Sequence, residues 1–192
     1  MLIRPEESLG YWLFYTQRCV EYAFSEVLEM ACLEQKKPYI VTPPQWGVLA
    51  LLYEHDGLTI GTISQRRGLD APTVTGIVKR LEQSGLVVRL HDRTDRRIVK
   101  VYLTDEGWDS MRFLPDAVMT FHKITTQGFS TIEQRDLIAK MQQIIVNLAA
   151  VGPGTGDRFG LLPANLYYSL REGQPTRLVQ QQNGNTAKEG DQ

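Results

Sequence analysis

The sequence predicts a mainly α-helical protein that contains one small β-sheet of two to three strands. Apolar residues recur at helical spacing in several segments before residue 150. A single pair of short, alternating, β-branched segments, residues 86–90 and 98–103, indicates a β-hairpin. Long segments with little glycine or proline stand before and after this central part. With 192 residues, the chain suits one domain of ordinary size with an appended tail.

The first long segment, residues 6–35, predicts one helix that is apolar on most of its faces. It contains no proline, and its aromatic residues include Tyr11 and Phe14. Such a helix is not expected on the outside of a small monomer, so we expect a second subunit to cover it. Cys19 and Cys32 lie about 20 Å apart on this helix, which is too far for a disulfide. We expect both cysteines to be small core residues.

Three shorter helices follow. Thr42 and the two prolines after it predict the start of a helix that ends near residues 56–57. Residues 59–67 and 71–84 predict two short helices joined by a turn at Gly68. In the second of these, the inward face predicted by helical spacing is Val74, Ile77, Val78 and Leu81. The residues left on the outer face are Thr73, Thr75, Gly76, Lys79 and Arg80. Two short helices with such a turn form the helix-turn-helix pattern.

The loop of the predicted hairpin is densely charged. Five of the six positions 92–97 are arginine or aspartate. After the second strand, Thr104 followed by two acidic residues predicts the N-cap of another helix, which continues past a kink at Pro115. The hairpin thus stands between two helical parts of the chain.

The last helical segment opens at residues 130–133, Ser-Thr-Ile-Glu, which match a capping box. The apolar stripe of this helix is Leu137, Ile138, Met141, Ile144, Ile145 and Leu148. Together with the apolar first helix, the stripe favours a dimer interface. From Gly152 onward the composition shifts to Gly, Pro, Gln and Asn, which predicts a partly disordered tail with one short helix near residues 164–171.

The charge of the chain is concentrated in its middle. The formal net charge is -1, but residues 66–100 hold nine lysines and arginines against four acids, a local charge of +5 on an acidic remainder. A local basic block indicates a polyanionic partner, because the local field steers association. No secretory signal or membrane-spanning segment is recognisable, so we expect a cytoplasmic protein without membrane contact.

A resemblance to a known family rests on residues 44–107. They contain a Q-x-x-x-L helix, the segment T-x-x-V-x-R-L-E-x-x-G-L-V-x-R, and a D-x-x-D-R-R loop followed by L-T-x-x-G. This order resembles the MarR family of winged helix-turn-helix transcription regulators, and the likeness extends over about residues 6–149. It implies a dimerisation helix at 6–40, a DNA-binding domain at 41–104, C-terminal dimerisation helices at 105–150 and a tail at 151–192. It also implies a homodimer that binds double-stranded DNA without a cofactor, as a repressor.

The DNA-binding residues expected on this basis are Arg66, Arg67, Thr73, Thr75, Lys79, Arg80, Arg93, Arg96 and Arg97. A helix in the major groove needs short polar or cationic side chains toward the base edges. A guanidinium group suits the narrow minor groove, and Arg97 resembles the minor-groove arginine of the family. Asp92 and Asp95 are interpreted as wing-orienting residues that hold the arginines by bidentate pairing.

The resemblance further implies a small-molecule effector, aromatic or phenolic, in a cavity that Tyr15, Trp46 and Met111 could line. A thiol-based redox sensor is one alternative, although the reactive cysteine of the peroxide-sensing branch aligns with Gly10 here. A protein-interaction module with a degenerate winged helix is another. An enzyme is not expected, because the three histidines are scattered and form no catalytic or metal-ligand spacing.

Overall fold

The computed structural model describes residues 4–92 and 94–149. Arg93, the tail at 151–192 and the short helix expected near residues 164–171 lie outside the described residues. The chain divides into two compact units. The first comprises residues 4–63 and 72–128, and the second comprises residues 64–71 and 129–149. Within these ranges, none of the helices has the length and apolar character required to cross a membrane.

Seven α-helices and three strands make up the described chain, which confirms the mainly α class. The helices are α1 (Leu9–Glu34), α2 (Pro43–Glu54), α3 (Ile60–Arg67), α4 (Ala71–Gln83), α5 (Asp105–Ser110), α6 (Leu114–Thr125) and α7 (Thr131–Ala149). The strands are β1 (Leu58–Thr59), β2 (Val87–His91) and β3 (Val99–Leu103). A short 3-10 helix, Pro5–Glu7, precedes α1.

Only the C-terminal part of the first helix is anchored in the core of its unit. Leu28 and Cys32 are the buried residues of α1, and Phe24 packs on Phe121 of α6 with ring centroids 4.8 Å apart. Cys19 is exposed in the single chain, so the prediction that it is a core residue is wrong. The reason is that no residue of α1 before Leu28 is buried. Both cysteines are free, as expected.

The core of the first unit is formed by α2, the inner face of α4 and the sheet. Its fully buried large side chains include Leu49, Leu52, Ile77, Leu81 and Leu86. The predicted start of α2 is confirmed: the backbone N–H and the hydroxyl of Thr42 both donate to Gln45 Oε1 at 2.9 Å. These contacts satisfy groups that a helix N-terminus leaves without partners.

The sheet has three strands, within the predicted range of two to three, but the sequence did not indicate the position of the third, β1. All pairs are antiparallel in the order β1-β3-β2, and β1 pairs Leu58 with Val101 and Thr59 with Lys100. The hairpin of β2 and β3 starts and ends within one residue of its predicted bounds. Helix α3 begins at Ile60, because Thr59 Oγ1 accepts a hydrogen bond from the Thr62 N–H at 3.1 Å and so caps the helix.

The helix expected to run past Pro115 is in fact two helices. Helix α5 ends at Ser110, and α6 begins at Leu114 with Pro115 in its first turn. Proline has no backbone N–H and fits the first helical turn, where that group would have no partner, better than a helix interior. The Ser110 hydroxyl is buried and donates to the Gly107 carbonyl at 2.6 Å, at the end of α5.

The second unit contains the end of α3, the turn after it and α7. The turn includes Gly68 at φ 62° and is closed by the Ser64 hydroxyl, which donates to the Leu69 carbonyl at 2.8 Å. The predicted capping box opens α7: the Ser130 N–H donates to Glu133 Oε2 at 2.8 Å, and the Glu133 N–H donates to Ser130 Oγ at 3.3 Å. No residue between 131 and 148 is buried.

Candidate nucleic-acid interface

Helix α4 has the two faces that its sequence predicts. The inward residues are Val74, Ile77, Val78 and Leu81, all of them buried. The outward residues Thr73, Thr75, Lys79 and Arg80 are exposed, and Gly76 is half-buried. Burial of the apolar stripe fixes the rotation of the helix about its axis. The polar and cationic side chains are therefore held toward solvent.

The basic side chains on α4 are not neutralised by acids. In residues 4–92 and 94–149, neither Lys79 nor Arg80 forms an ion pair. An Arg80 guanidinium nitrogen lies 3.8 Å from the point where a Cβ on Gly76 would stand. This places the Arg80 head group back along the helix, as expected from the direction of helical side chains. A positive charge without an acidic partner in the described chain therefore lies beside Gly76.

A tight turn and an ion pair join α4 to the hairpin. Gly85 adopts φ 72°, and the Leu86 N–H donates to the Leu81 carbonyl at 2.9 Å. The Arg89 guanidinium then reaches from β2 to Glu82 at the end of α4, with Nη2 at 2.6 Å and Nε at 3.0 Å from Oε2. The hydrogen bond from Arg89 lowers the pKa of the Glu82 carboxyl. Sequence reasoning had not assigned a role to either residue.

The wing, defined as β2, the loop at 92–98 and β3, is organised by aspartates. Asp92 Oδ1 accepts from the Thr94 N–H at 2.8 Å and from the Asp95 N–H at 3.2 Å, while Oδ2 lies 2.6 Å from Lys100 Nζ. The hydrogen bonds from Lys100 and Thr94 lower the pKa of Asp92. Asp95 Oδ1 accepts from the Arg97 N–H at 2.9 Å. These bonds hold the loop backbone in a defined turn.

The expected pairing of these aspartates with wing arginines is wrong for Arg96 and Arg97, while Arg93 lies outside the described residues. Among the described residues, Asp92 and Asp95 form no ion pair with Arg96 or Arg97. The physical reason is that backbone N–H groups two or three residues ahead, and Lys100 on the neighbouring strand, lie within reach of these short side chains. Arg96 and Arg97 are exposed. The aspartates thus shape the backbone that carries Arg96 and Arg97. The guanidinium groups of these two arginines have no acidic partner among the described residues.

Two further predicted contacts, Arg66 and Arg67, lie in the last turn of α3 and are exposed. They belong to the second unit, and their role in binding stays a prediction. Arg93 lies outside the described residues.

A cavity of about 490 Å³ opens between α1 and α6 in the first unit. Its lining includes Val27, Met30, Ala31, Glu34, Phe113, Asp116, Ala117 and Ile124. The predicted lining residues Tyr15, Trp46 and Met111 do not line this cavity, and their assignment to an effector pocket stays a prediction. Tyr15 stands twelve residues before Val27, about 18 Å along the helix axis, and Met111 is buried in the core.

A charged cluster that the sequence did not predict joins the segment after α1 to α5. Lys37 Nζ lies 2.8 Å from Glu106 Oε1 and 2.6 Å from Asp109 Oδ2, and the Tyr39 hydroxyl donates to Glu106 Oε1 at 2.9 Å. Bonds from Lys37 lower the pKa of both carboxyls. Burial, followed by the bond to Glu106, raises the pKa of Tyr39. About 70 residues of sequence separate the partners, so no local pattern could have indicated the cluster.

Comparisons with known proteins agree with this architecture. The family model described as the MarR family matches residues 41–99. The HTH-type transcriptional regulator TtmR of Methylorubrum extorquens (strain PA1) is 48% identical over 101 residues, 53% of this chain and 50% of that protein. The HTH-type transcriptional repressor MdtR of Bacillus subtilis is 38% identical over 85 residues, 44% of this chain and 55% of MdtR. The chain thus matches these curated relatives over about half of their length.

Solved structures give the same fold over most of the described chain. The PcaV transcriptional regulator from Streptomyces coelicolor, solved with its natural ligand, matches with a TM-score of 0.65 at 23% identity, covering 76% of this chain and 96% of PcaV. MepR of S. aureus, solved in a complex with DNA, matches with a TM-score of 0.61 at 22% identity, covering 74% of this chain and 98% of MepR. The chain is therefore similar to the MarR family over residues 41–99, and its fold is similar to that of a solved transcriptional regulator.

Proposed function

We propose that this protein is a dimeric, sequence-specific regulator of transcription that binds double-stranded DNA and acts as a repressor. Helix α4 enters the major groove and the wing arginines reach the minor groove. The observation that carries the proposal is the pairing of a buried apolar stripe on α4 with an outer face of Thr73, Thr75, Lys79 and Arg80. The relative MdtR is named a repressor, and MepR was solved with DNA.

The outer face of α4 suits base edges. A major groove admits one α-helix, and threonine and lysine side chains reach the hydrogen-bonding groups and methyl groups displayed there. Gly76 has no side chain, so nothing projects from the middle of this face, and the Arg80 guanidinium lies beside it. We therefore assign base contacts to Thr73, Thr75 and Lys79 and a phosphate or base contact to Arg80.

The wing suits the minor groove because Arg96 and Arg97 are exposed on a loop whose backbone is held by hydrogen bonds to Asp92 and Asp95. Arg96 and Arg97 are exposed, and in the described chain no acid neutralises either of them. The hydrogen bond from the Arg97 N–H to Asp95 fixes the backbone from which the guanidinium extends. A backbone that is ordered before binding loses less conformational entropy on binding. The narrow minor groove attracts arginine through its negative potential.

Dimerisation is supported by exposed apolar surface on both units. On α1, Tyr11 and Phe14 are exposed, with Phe14 at 53%. On α7 the predicted interface residues Leu137, Met141, Ile145 and Leu148 are exposed and Ile144 is half-buried. Large exposed apolar surface on a helix indicates a partner. A two-fold dimer would read a near-palindromic site with half-site centres about 34 Å apart.

An effector is the second part of the proposal, and the cavity between α1 and α6 is its site. The relatives PcaV and Bordetella bronchiseptica BpsR were studied with a natural ligand and with 6-hydroxynicotinic acid, respectively. Here Phe113 and Ala117 offer apolar contacts, while Glu34 and Asp116 place carboxylates at the cavity. An aromatic or phenolic effector would therefore bind uncharged, because an anion would be repelled by these acids.

The test of DNA binding compares two arginine variants on a duplex selected from a random pool. Arg97→Ala is expected to weaken binding by about 1–3 kcal/mol and to reduce the salt slope by about one. Arg112→Ala is the matched control: Arg112 is exposed in the same unit but lies outside α4 and the wing. Equal losses in both variants would remove the wing from the DNA interface, and a failure to select any duplex would contradict the proposal and favour an interaction module that does not bind DNA.

Thiol sensing remains the alternative that Cys19 allows, since this cysteine is exposed. Cys32 is buried, and burial raises the pKa of its thiol, which disfavours the reactive thiolate. We expect peroxide to leave DNA binding unchanged in the wild type and in Cys19→Ser. Release of DNA by peroxide in the wild type alone would establish the redox mechanism instead.

A further inference from the structure

An acid stands on the surface that we expect to face DNA. Glu82 lies at the end of α4, after the basic residues Lys79 and Arg80 and before the wing. Phosphates repel a carboxylate, so an acid here would lower DNA affinity if charge were its whole effect. The side chain of Glu82 is 33% exposed and within hydrogen-bonding distance of one residue on β2, Arg89.

Arg89 is placed to connect the sheet with the helix. It follows the buried Val87 by two positions and therefore lies on the same face of β2. Its guanidinium donates through Nη2 and Nε to one Glu82 oxygen, at 2.6 and 3.0 Å. The strand that carries Arg89 continues into the wing loop. The ion pair thus ties the last turn of α4 to the base of the wing.

We propose that Glu82 is a positioning residue for DNA binding, which holds Arg89 and thereby fixes the wing relative to helix α4. The proposal rests on the proposed function, because it assumes that α4 and the wing bind one duplex together. Two elements that enter neighbouring grooves must keep a defined separation, and a loss of that geometry reduces affinity through the cost of ordering them. On this view the carboxylate favours DNA binding in spite of its charge.

The charge of Glu82 gives a test in which the two explanations predict opposite signs. If the residue acts only through its charge, Glu82→Ala removes a repulsion and strengthens DNA binding. If it positions the wing, Glu82→Ala weakens binding by about two- to fivefold, the range expected for a well-formed exposed ion pair. Glu82→Gln, which can still accept a hydrogen bond from Arg89, is expected to recover part of the loss.

Glu54→Ala is the matched control, since Glu54 is an exposed acid of the same unit that makes no ion pair in the described chain. Its removal is expected to leave DNA binding unchanged or slightly stronger. Thermal unfolding of every variant shows that the comparison is made on folded protein. The proposal would be overturned if Glu82→Ala bound DNA as tightly as the Glu54→Ala control, or more tightly.

A double-variant cycle separates positioning from a direct phosphate contact by Arg89. If Arg89 acts through Glu82, Arg89→Gln weakens binding about as much as Glu82→Ala, and the double variant is no worse than either single one. The salt slope then stays that of the wild type. Additive losses, together with a slope reduced by about one, would make Arg89 a phosphate ligand and overturn the role of Glu82.

The outcomes also distinguish this proposal from the proposed function. A wild type that selects no duplex overturns both. A wild type that binds, is weakened by Arg97→Ala and is not weakened by Glu82→Ala leaves the regulator in place and overturns only the positioning role.

Discussion

Gly107 is a position where one added methyl group is expected to lower the free energy of unfolding. It lies in the first turn of α5, where the Thr104 hydroxyl accepts its N–H at 3.1 Å. A Cβ at this position would stand 2.1 Å from the Leu86 carbonyl oxygen and 3.2 Å from Leu103 Cδ2. Real Cβ atoms essentially never approach a neighbour within 3.0 Å, so the helix and the backbone at Leu86 would have to separate by at least 0.9 Å.

The expected loss of stability follows from three contributions. Forced separation of well-packed groups costs about 1–3 kcal/mol. The Thr104 N–H donates to the same Leu86 carbonyl at 3.1 Å, and loosening this bond costs about 1 kcal/mol. Alanine favours a helix over glycine by about 1 kcal/mol, which offsets the cost of the loosened hydrogen bond. Gly107→Ala should therefore lower the free energy of unfolding by about 1–3 kcal/mol.

Urea and thermal unfolding without DNA measure this change. At about 2–4 °C per kcal/mol for a chain of this size, the Tm should fall by about 2–12 °C. Gly76→Ala is the control, because it adds the same methyl to a helix with its nearest neighbour at 3.8 Å and is expected to stabilise α4 by up to about 1 kcal/mol. A Gly107→Ala variant as stable as the wild type, or equal to Gly76→Ala, would refute the steric argument.

Two other measurements check the cluster around Lys37 and the dimer. The pKa of Glu106 and that of Asp109 are lowered in the folded chain. Their contribution to the free energy of unfolding is therefore present above their ordinary pKa near 4, and it is lost as the pH falls through the lower folded values. Unfolding should become easier as the pH is lowered below about 4.5, and Lys37→Met should show less of this dependence; identical pH profiles would remove Lys37 as the cause. Sedimentation at micromolar concentration should give a dimer, and Phe14→Arg should weaken it; a wild-type monomer would contradict the dimer proposal.

Periodicity and capping chemistry account for what was predicted correctly. The inward face of α4 followed from four apolar residues at helical spacing, and burial confirms all of them. The capping box at Ser130 and Glu133 could be read from the sequence because its partners are three residues apart. The hairpin followed from two alternating segments around one charged loop. Each of these features depends on residues close together in the chain.

The misplaced assignments depend on neighbours that the sequence does not reveal. Strand β1 is two residues long and exists because β3 pairs with it. Asp92 and Asp95 were expected to bind guanidinium groups, but backbone N–H groups and Lys100 lie nearer. The cavity between α1 and α6 was not located from the sequence either, since its position depends on how these two helices pack. Composition alone cannot specify such distances.

The sequence by itself determined the positions of most helices and of the hairpin, the outward face of α4 and the basic character of the central segment, because helical spacing, capping and charge are local properties. Only the tertiary structure decided which charges are neutralised: Lys37, Arg89 and Lys100 have acidic partners, while Lys79 and Arg97 have none in the described chain. Ion pairing depends on distances of a few ångströms between side chains that are far apart in sequence, and folding alone sets those distances.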